Sequence, residues 1–358
     1  MGVSMADTTL YPAERLAAGG QPARLRSISR LLLLIGFGLY FAALVAAWTV
    51  AVRYLPDHLD LTLAGRTLHL HDLHQKIASN ALMLSAILPF ALWVEWMTVG
   101  WQESSLRRLL SARSSSTKTD LAILVLGQGR VLDVMAKAML LGASFISGEA
   151  IRQWLKVHTG VWIDPSGLPF AVQLPLFFAV YTFFDYWTHR LDHWKYFWPL
   201  HRYHHAAEEF CVVTAERQHP AQFAGIFVIN LPLAMLGADP AVMIWVNVLV
   251  ATIGLLIHSR IDSDWGFIGR WVLQSPNHHR LHHKFDMTRP TGHFAIAPMW
   301  DHLFGTFYGD EGIYAGGGRE LPLGVDRAYR HGWWVMPDLM RDYWDFWRGW
   351  LVRGKAHL

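Results

Sequence analysis

The chain is 358 residues long, with 53% hydrophobic and only 16% charged residues, 18 tryptophans and a formal net charge of +3. So few charges in so apolar a chain are the profile of a membrane protein, and a small net charge with no basic patch interleaved with aromatics excludes a nucleic-acid surface. The single cysteine, Cys211, excludes an internal disulfide and a thiolate cluster, leaving nitrogen and oxygen as ligands for any metal.

In chain order, a polar arm containing Arg15, Arg24, Arg26 and Arg30 precedes LLLLIGFGLYFAALVAAWTV at 31–50. That run has the length a bilayer core demands of a helix, and no small-residue cleavage site follows it, so it reads as a retained anchor. A second run, 77–99, carries Glu95 as its one charge. The segment 121–146 is interrupted by Arg130, Asp133 and Lys137, which leaves open whether it spans. The Phe- and Leu-rich run 168–187 leads into a histidine cluster. Next come 223–236 and 242–257, broken by GADP, whose turn chemistry and helix-starting proline predict a hairpin that enters the membrane and returns.

Charge asymmetry orients these runs. The N-terminal arm and the connection with Arg107, Arg108, Arg113 and Lys118 are more basic than the loops at 53–76 and 151–167. The positive-inside rule then places the arm, and every histidine cluster after residue 187, on the cytoplasmic face. LHLHDLHQK at 68–76 falls on the opposite side and reads as a surface loop with no catalytic part. Near the C-terminus, Met340, Trp344, Trp347 and Leu351 share one helical face with Leu339, Tyr343, Phe346 and Trp350 beside them, while Arg341, Asp342, Asp345 and Arg348 occupy the other. This is the pattern of an interfacial helix lying on a membrane. The fold class expected is all-α: a polytopic membrane helix bundle with a cytoplasmic histidine-rich catalytic cap.

Three dense boxes carry the chemistry: HRLDH at 189–193, HRYHH at 201–205 and HRLHH at 279–283, with His258 alone at the end of the hairpin. Positions three and four apart share a helix face, so each box aims its imidazoles in one direction. Ser275-Pro276 reads as an N-cap with proline at the first helical position, and Pro199 opens a helix before His201 in the same way. One histidine on an apolar face is usually a hydrogen-bonded core residue. Nine at helical spacing are costly to bury without a common partner, at about 1–3 kcal/mol for each unsatisfied group. They are also too many for one tetrahedral zinc. Two metals sharing the set is the natural reading, with zinc, copper, iron and nickel all compatible with imidazole. Asp185, Asp192, Glu208 and Glu209 lie close enough in sequence to orient the rings through their second nitrogens.

HRLDH, HRYHH, RQHP at 217–220, the isolated His258, HHRLHH at 278–283 and WDHLFGTF at 300–307 together resemble the fatty acid hydroxylase superfamily, in particular its sterol desaturase-like branch. The resemblance covers roughly 170–310. It implies an integral membrane oxygenase with two iron ions, for which zinc can substitute on purification, that hydroxylates or desaturates a C–H position of a lipid with dioxygen and two electrons. The ligands it implies are His189, His193, His201, His204, His205, His258, His279, His282 and His283, with His278, His219, His293 and Asp185 as a second tier. His293 stands where the family pattern leads one to expect a small polar residue.

His219-Pro220 is followed by Ala221 rather than a glycine pair, so no haem-binding b5-like domain is expected. Electrons are then expected from a separate donor of cytochrome b5, ferredoxin or reductase type. Residues 1–165 form an N-terminal arm with transmembrane helices, 166–310 the catalytic domain and 311–358 the tail with the amphipathic helix. The compact form leans towards a bacterial inner membrane. A zinc hydrolase is the competing enzyme reading, but it lacks the HExxH that would supply a general base. A metal carrier would distribute its ligands within the spans, and a silent scaffold would retain the boxes without use. The sequence leaves open which lipid is bound and whether the product is an alcohol or an alkene.

Overall fold

The computed structural model describes residues 56–63, 66–70, 73–111, 114–126, 131–285, 292–308 and 321–351, with isolated positions between 35 and 54. The chain divides into two compact units, Met1–Ala47 and Trp48–Leu358. In the first, the described positions are helical; the remainder of the 31–50 run lies outside the described residues. The second unit carries everything that follows.

It opens with a β-hairpin, β1 (Leu59–Leu63) and β2 (Arg66–Leu70), paired antiparallel with Leu61 opposite Leu68 and Asp60 opposite His69. The loop expected at 68–76 is therefore a strand up to Leu70. His71 and Asp72 lie outside the described residues, and a helix begins at Leu73. The helices are α1 (Leu73–Val99), α2 (Ser105–Ser111), α3 (Ser115–Leu126), α4 (Val131–Thr159), α5 (Phe170–Asp192), α6 (Trp198–His205), α7 (Ala224–Met235), α8 (Pro240–Ile257), α9 (Gly266–Trp271), α10 (Pro276–His282), α11 (Met299–Leu303) and α12 (Met336–Leu351). The ambiguous run 121–146 is divided between α3 and α4. Among the described residues, α8 is the one helix long and apolar enough to cross a membrane; Ala86–Val99 and Pro220–Met235 are shorter apolar helical stretches. The regular structure of the described residues is thus helical apart from the hairpin and an isolated bridge between Lys284 and Leu323.

The α7–α8 hairpin forms as its local chemistry requires. Gly237, at φ 79°, takes the left-handed position after α7. Its N–H donates to Ala234 O and the Ala238 N–H to Leu233 O, a Schellman closure that satisfies two carbonyls orphaned at the helix end. Two residues later the Asp239 carboxylate accepts from Ala241 N at 2.7 Å and starts α8, with Pro240 in its first turn. The returning helices pack with α5 around Phe177, Tyr181, Ile229, Leu233, Val242, Met243 and Val246. A second core joins Ile87, Leu88 and Ala91 of α1 to Cys211, Val212, Val213 and Leu255.

Buried charges tie the cap to these helices. Glu95, the one charge in its apolar run, accepts from Ser105 N and Oγ and from Arg260 N, joining α1, α2 and the segment after His258. Arg217 is 1% exposed and donates to Asp120 Oδ1 at 2.7 Å and to Ser116 O, fastening the RQHP segment to α3.

The amphipathic C-terminal helix settles which of its faces meets the protein. The charged face is turned inward: Asp342, fully buried, accepts from Arg202 Nε at 3.0 Å and from the Tyr329 hydroxyl, and Asp345 takes Arg202 and Arg327. Met340, Trp344, Trp347 and Leu351 point outward, 45–75% exposed.

Replacing Asp120 by Ala leaves the Arg217 guanidinium buried without its counter-charge, a loss of about 3 kcal/mol. The expected outcome is a clearly lowered midpoint in thermal unfolding of the detergent-solubilised protein; an unchanged midpoint would show that the pair contributes nothing net.

Candidate metal centre

Four helices deliver the boxes. His189 lies in the last turn of α5 and His193 at its C-cap; His204 and His205 are in the last turn of α6, with His201 three residues before His204. His258 is the C-cap of α8, while His279 and His282 fall in the last turn of α10 with His283 as its C-cap. The expected Ser275 cap is formed: its side chain accepts from His278 N, with Pro276 opening α10. Pro199 likewise sits in the first turn of α6. Helix C-termini carry partial negative charge and favour cations. The arrangement therefore turns four negative helix ends towards one region.

There the nine histidines divide into two groups. His189, His193, His201, His205 and His282 form one, and His204, His258, His279 and His283 the other; in each, one ring nitrogen per residue lies within 4.8 Å of all the rest. The groups adjoin, because His205 of the first stacks on His283 of the second with ring centroids 4.0 Å apart.

Ring orientation is set from outside. A carbonyl can only accept, so the Nδ1–H groups donate: His189 to Phe294 O at 2.7 Å, His282 to Gly292 O at 2.7 Å and His258 to Gly254 O at 2.6 Å. Their Nε2 lone pairs then face inward. Nε2 atoms approach at 3.2 Å for His189–His201, His201–His205 and His204–His258, and at 2.9 Å for His258–His279. Two nitrogens bound at about 2.1 Å and near a right angle on a common ion sit about 3 Å apart. His282 Nε2 and both ring nitrogens of His283 are buried without a hydrogen-bond partner. Burial pulls the imidazoles of His201, His204, His205, His279, His282 and His283 well below the usual histidine range, so they stand neutral and able to ligate. An all-nitrogen donor set of neutral rings with orphaned inward atoms fits divalent transition-metal ions.

The second residue of each box does different work. At i+1 a side chain points about 100° from the histidine before it; Arg202 and Arg280 tie their helices to separate elements, while Arg190 bonds a tyrosine one turn earlier on its own helix. Arg190 donates to the Tyr186 hydroxyl at 2.8 Å, Arg202 to Asp342 of α12, and Arg280 to Ser259 O and Ile261 O at 2.7 and 3.0 Å. Asp301, which sequence reasoning left without a role inside WDHLFGTF, is fully buried and accepts from Phe294 N, Ala295 N and Thr306 Oγ1 at 2.7–3.0 Å. It thereby holds the strip whose carbonyls orient His189 and His282. Gly292 is obligatory in that strip, because an added Cβ would lie 2.0 Å from Thr306 O. The sequence signal for this role was an aspartate three residues before a Phe-Gly-Thr turn.

The second-tier residues are placed elsewhere. His219 Nδ1 accepts from Ala221 N while its Nε2–H donates to Leu339 O. His278 Nδ1–H donates to Gly269 O, and His293, at φ 58°, donates from Nε2 to Tyr308 O at 2.6 Å. None of the three belongs to either group. Asp185 lines the cavity beside His189. Of the other carboxylates considered, Asp192 lies 3.8 Å from His201 Nδ1, with the Gln222 amide donating to it. Glu209 takes Arg108, Ser114 and Thr117, and Glu208 lies 3.5 Å from His331, so neither orients a ligand ring.

A cavity of about 300 Å³ reaches both groups, touching His189 and His201 of one and His204, His258 and His279 of the other, with Tyr181, Ile226, Ile229 and Leu255 as apolar wall.

Comparison with known proteins bears on the same region. Residues 174–306 match the sequence profile described as fatty acid hydroxylase. The chain is 29% identical over 236 residues to the ornithine lipid hydroxylase OlsE of Rhizobium tropici, covering 64% of this chain and 66% of that protein. It is 31% identical to the alkylglycerol monooxygenase of Danio rerio over 45% of this chain and 36% of the relative. To the methylsterol monooxygenase 1-2 of Arabidopsis thaliana it is 21% identical, over 43% of this chain and 52% of the relative. The chain thus spans just under two thirds of the first of these and about a third of the second. No solved structure matches.

Removing the carboxylate that holds the orienting strip is expected to weaken cation binding about 10–100-fold. Chelator-competition titration of Asp301→Ala against wild type measures this; equal affinities would show that Asp301 does not position the rings.

Proposed function

The chain belongs to the fatty acid hydroxylase family across residues 174–306, and on that premise we propose that it is an integral membrane non-haem di-iron oxygenase acting on a lipid. The observation that carries the reading is one cavity walled by both histidine groups. His189, His193, His201, His205 and His282 would hold one iron, and His204, His258, His279 and His283 the other. When bound, the irons supply the redox chemistry that couples dioxygen to C–H oxidation. For hydroxylation one C–H bond, dioxygen, two electrons and two protons give an alcohol and water; for desaturation two adjacent C–H bonds with the same dioxygen, electrons and protons give an alkene and two waters. The electrons come from a separate donor protein.

This chain's own residues provide the rest. The carbonyls of Phe294, Gly292 and Gly254 keep Nδ1 protonated and Nε2 free. The apolar wall of the cavity excludes water from the reacting position and holds an alkyl C–H against the histidines. The relatives' names point to ornithine lipid, alkylglycerol and methylsterol as substrates of those proteins, and an amphiphilic lipid of this kind is the substrate class we assign here.

A membrane setting accounts for the surface. α4, α5, α7 and α8 present Met139, Val172, Leu176, Val228 and Trp245 outward, 45–72% exposed, although their opposite sides form the core. Apolar side chains on all sides of a helix suit lipid. Around the histidine end, Trp187, Trp194, Trp344 and Trp347 are 42–65% exposed, the placement of an interfacial aromatic belt. We assign a multi-pass topology with the histidine cap on the cytoplasmic face of a bacterial inner membrane.

Elemental mass spectrometry of the detergent-purified chain is expected to find about two irons, one for each group. His282→Ala is expected to lose bound iron together with dioxygen-dependent lipid oxidation. Zinc that iron reconstitution fails to replace with activity would favour a hydrolase, and full activity in His282→Ala would remove that residue from the ligand set.

A further inference from the structure

A second cavity, of about 450 Å³, lies between α3, the start of α4, the RQHPAQF segment and α12. Its lining includes Ile123, Leu124, Ala136, Met336, Leu339 and Met340. It shares Glu216, Gln218 and Phe223 with the histidine cavity, so the two spaces adjoin at that segment. We propose that this cavity receives the alkyl chain of the lipid substrate, entering from the membrane along the outward face of α12. The proposal rests on the lipid-oxygenase reading and names the place where the substrate's chain is held.

Three observations support it. First, the two ionisable groups of the wall's RQHP side are satisfied by protein, His219 by Ala221 N and Leu339 O and Glu216 by Lys137 at 3.3 Å, leaving Gln218 and Tyr343 as the polar side chains among apolar ones. What remains is an apolar lining of ligand-site size that offers an occupant burial rather than hydrogen bonds. Second, the lining continues to the outside. Met336 and Met340 both line the cavity and are 42% and 58% exposed, and Trp344 and Trp347 follow on the same outward face. An exposed strip of Met and Trp is suited to a bilayer surface. Third, α12 is held in position by its other face, through Arg202 between His201 and His204. The wall of the chain cavity and the ligand helix α6 are thus fastened by one side chain.

A third cavity, lined by Ala138, Phe145, Pro240, Met243 and Ile244, shares Leu141 and Asn247 with the histidine cavity and is the competing entrance. It lies at the Pro240 end of α8, whereas His258 terminates the other end of that helix, roughly 25 Å along its axis.

The test is photolabelling of the full chain in detergent with a long-chain fatty acid bearing a diazirine in its tail, followed by peptide mapping. Adducts are expected at Ile123 and at the buried Leu339, reachable by the probe through this cavity. Filling the space with Ala136→Trp or, from the half-exposed side, Met340→Trp should abolish them, while Ile244→Trp in the third cavity should leave them in place. Adducts that persist in both filled variants, or that map to Ala138, Phe145 and Ile244, would overturn the assignment. Iron content, measured in parallel, separates the two readings: a wild type that labels in the cavity but binds no iron keeps the chain site and sinks the oxygenase, and the reverse pattern sinks the chain site alone.

Discussion

Nine imidazoles gathered into two adjoining groups, with four Nε2 pairs 2.9–3.2 Å apart, are the constraint on which the rest of the molecule depends. Where both facing nitrogens carry lone pairs, burial at that spacing without a cation between them forfeits water and gains nothing. The surroundings fix three of these rings from their far side. Backbone carbonyls take the Nδ1–H of His189, His258 and His282; those for His189 and His282 belong to the strip that the Asp301 carboxylate holds, and that for His258 belongs to α8.

The electrostatics are unusual for a site expected to carry two divalent ions, since both groups are built of histidines alone. Part of the compensation is supplied by helix ends. α5, α6, α8 and α10 all present their C-termini to the centre, and the partial negative charge of each favours a cation. The arginine in every box, which at first sight adds positive charge to the site, points away and serves as an anchor. Arg190 leads through Tyr186 and Thr306 to Asp301, Arg202 to α12 and Arg280 to the backbone after His258. Each box is therefore bifunctional, with histidines facing in and an arginine fastening the helix out.

The same economy governs the surface. A soluble amphipathic helix buries its apolar stripe; α12 buries Asp342 and leaves Met340, Trp344 and Trp347 outside. Helices of the bundle likewise keep apolar side chains on both the core and the outer side. Polar groups are concentrated where the histidine cap meets its anchors, and apolar ones face where lipid would be.

Much of this was legible in the sequence because it is local. Helical spacing within HRLDH, HRYHH and HRLHH placed their histidines on common faces, Ser275-Pro276 and GADP specified a cap and a turn, and the nine box histidines are those the two groups contain. Those signals depend on periodicity and on backbone groups a few residues apart, which the chain carries with it wherever it folds. The division into five and four was not legible. His201 and His204 share a box yet fall in different groups, because their assignment depends on which rings α5, α8 and α10 bring alongside. Asp301, the inward charged face of α12 and the exclusion of His219, His278 and His293 are of the same kind. Each depends on partners far along the chain, and only tertiary packing decides which donors and acceptors meet.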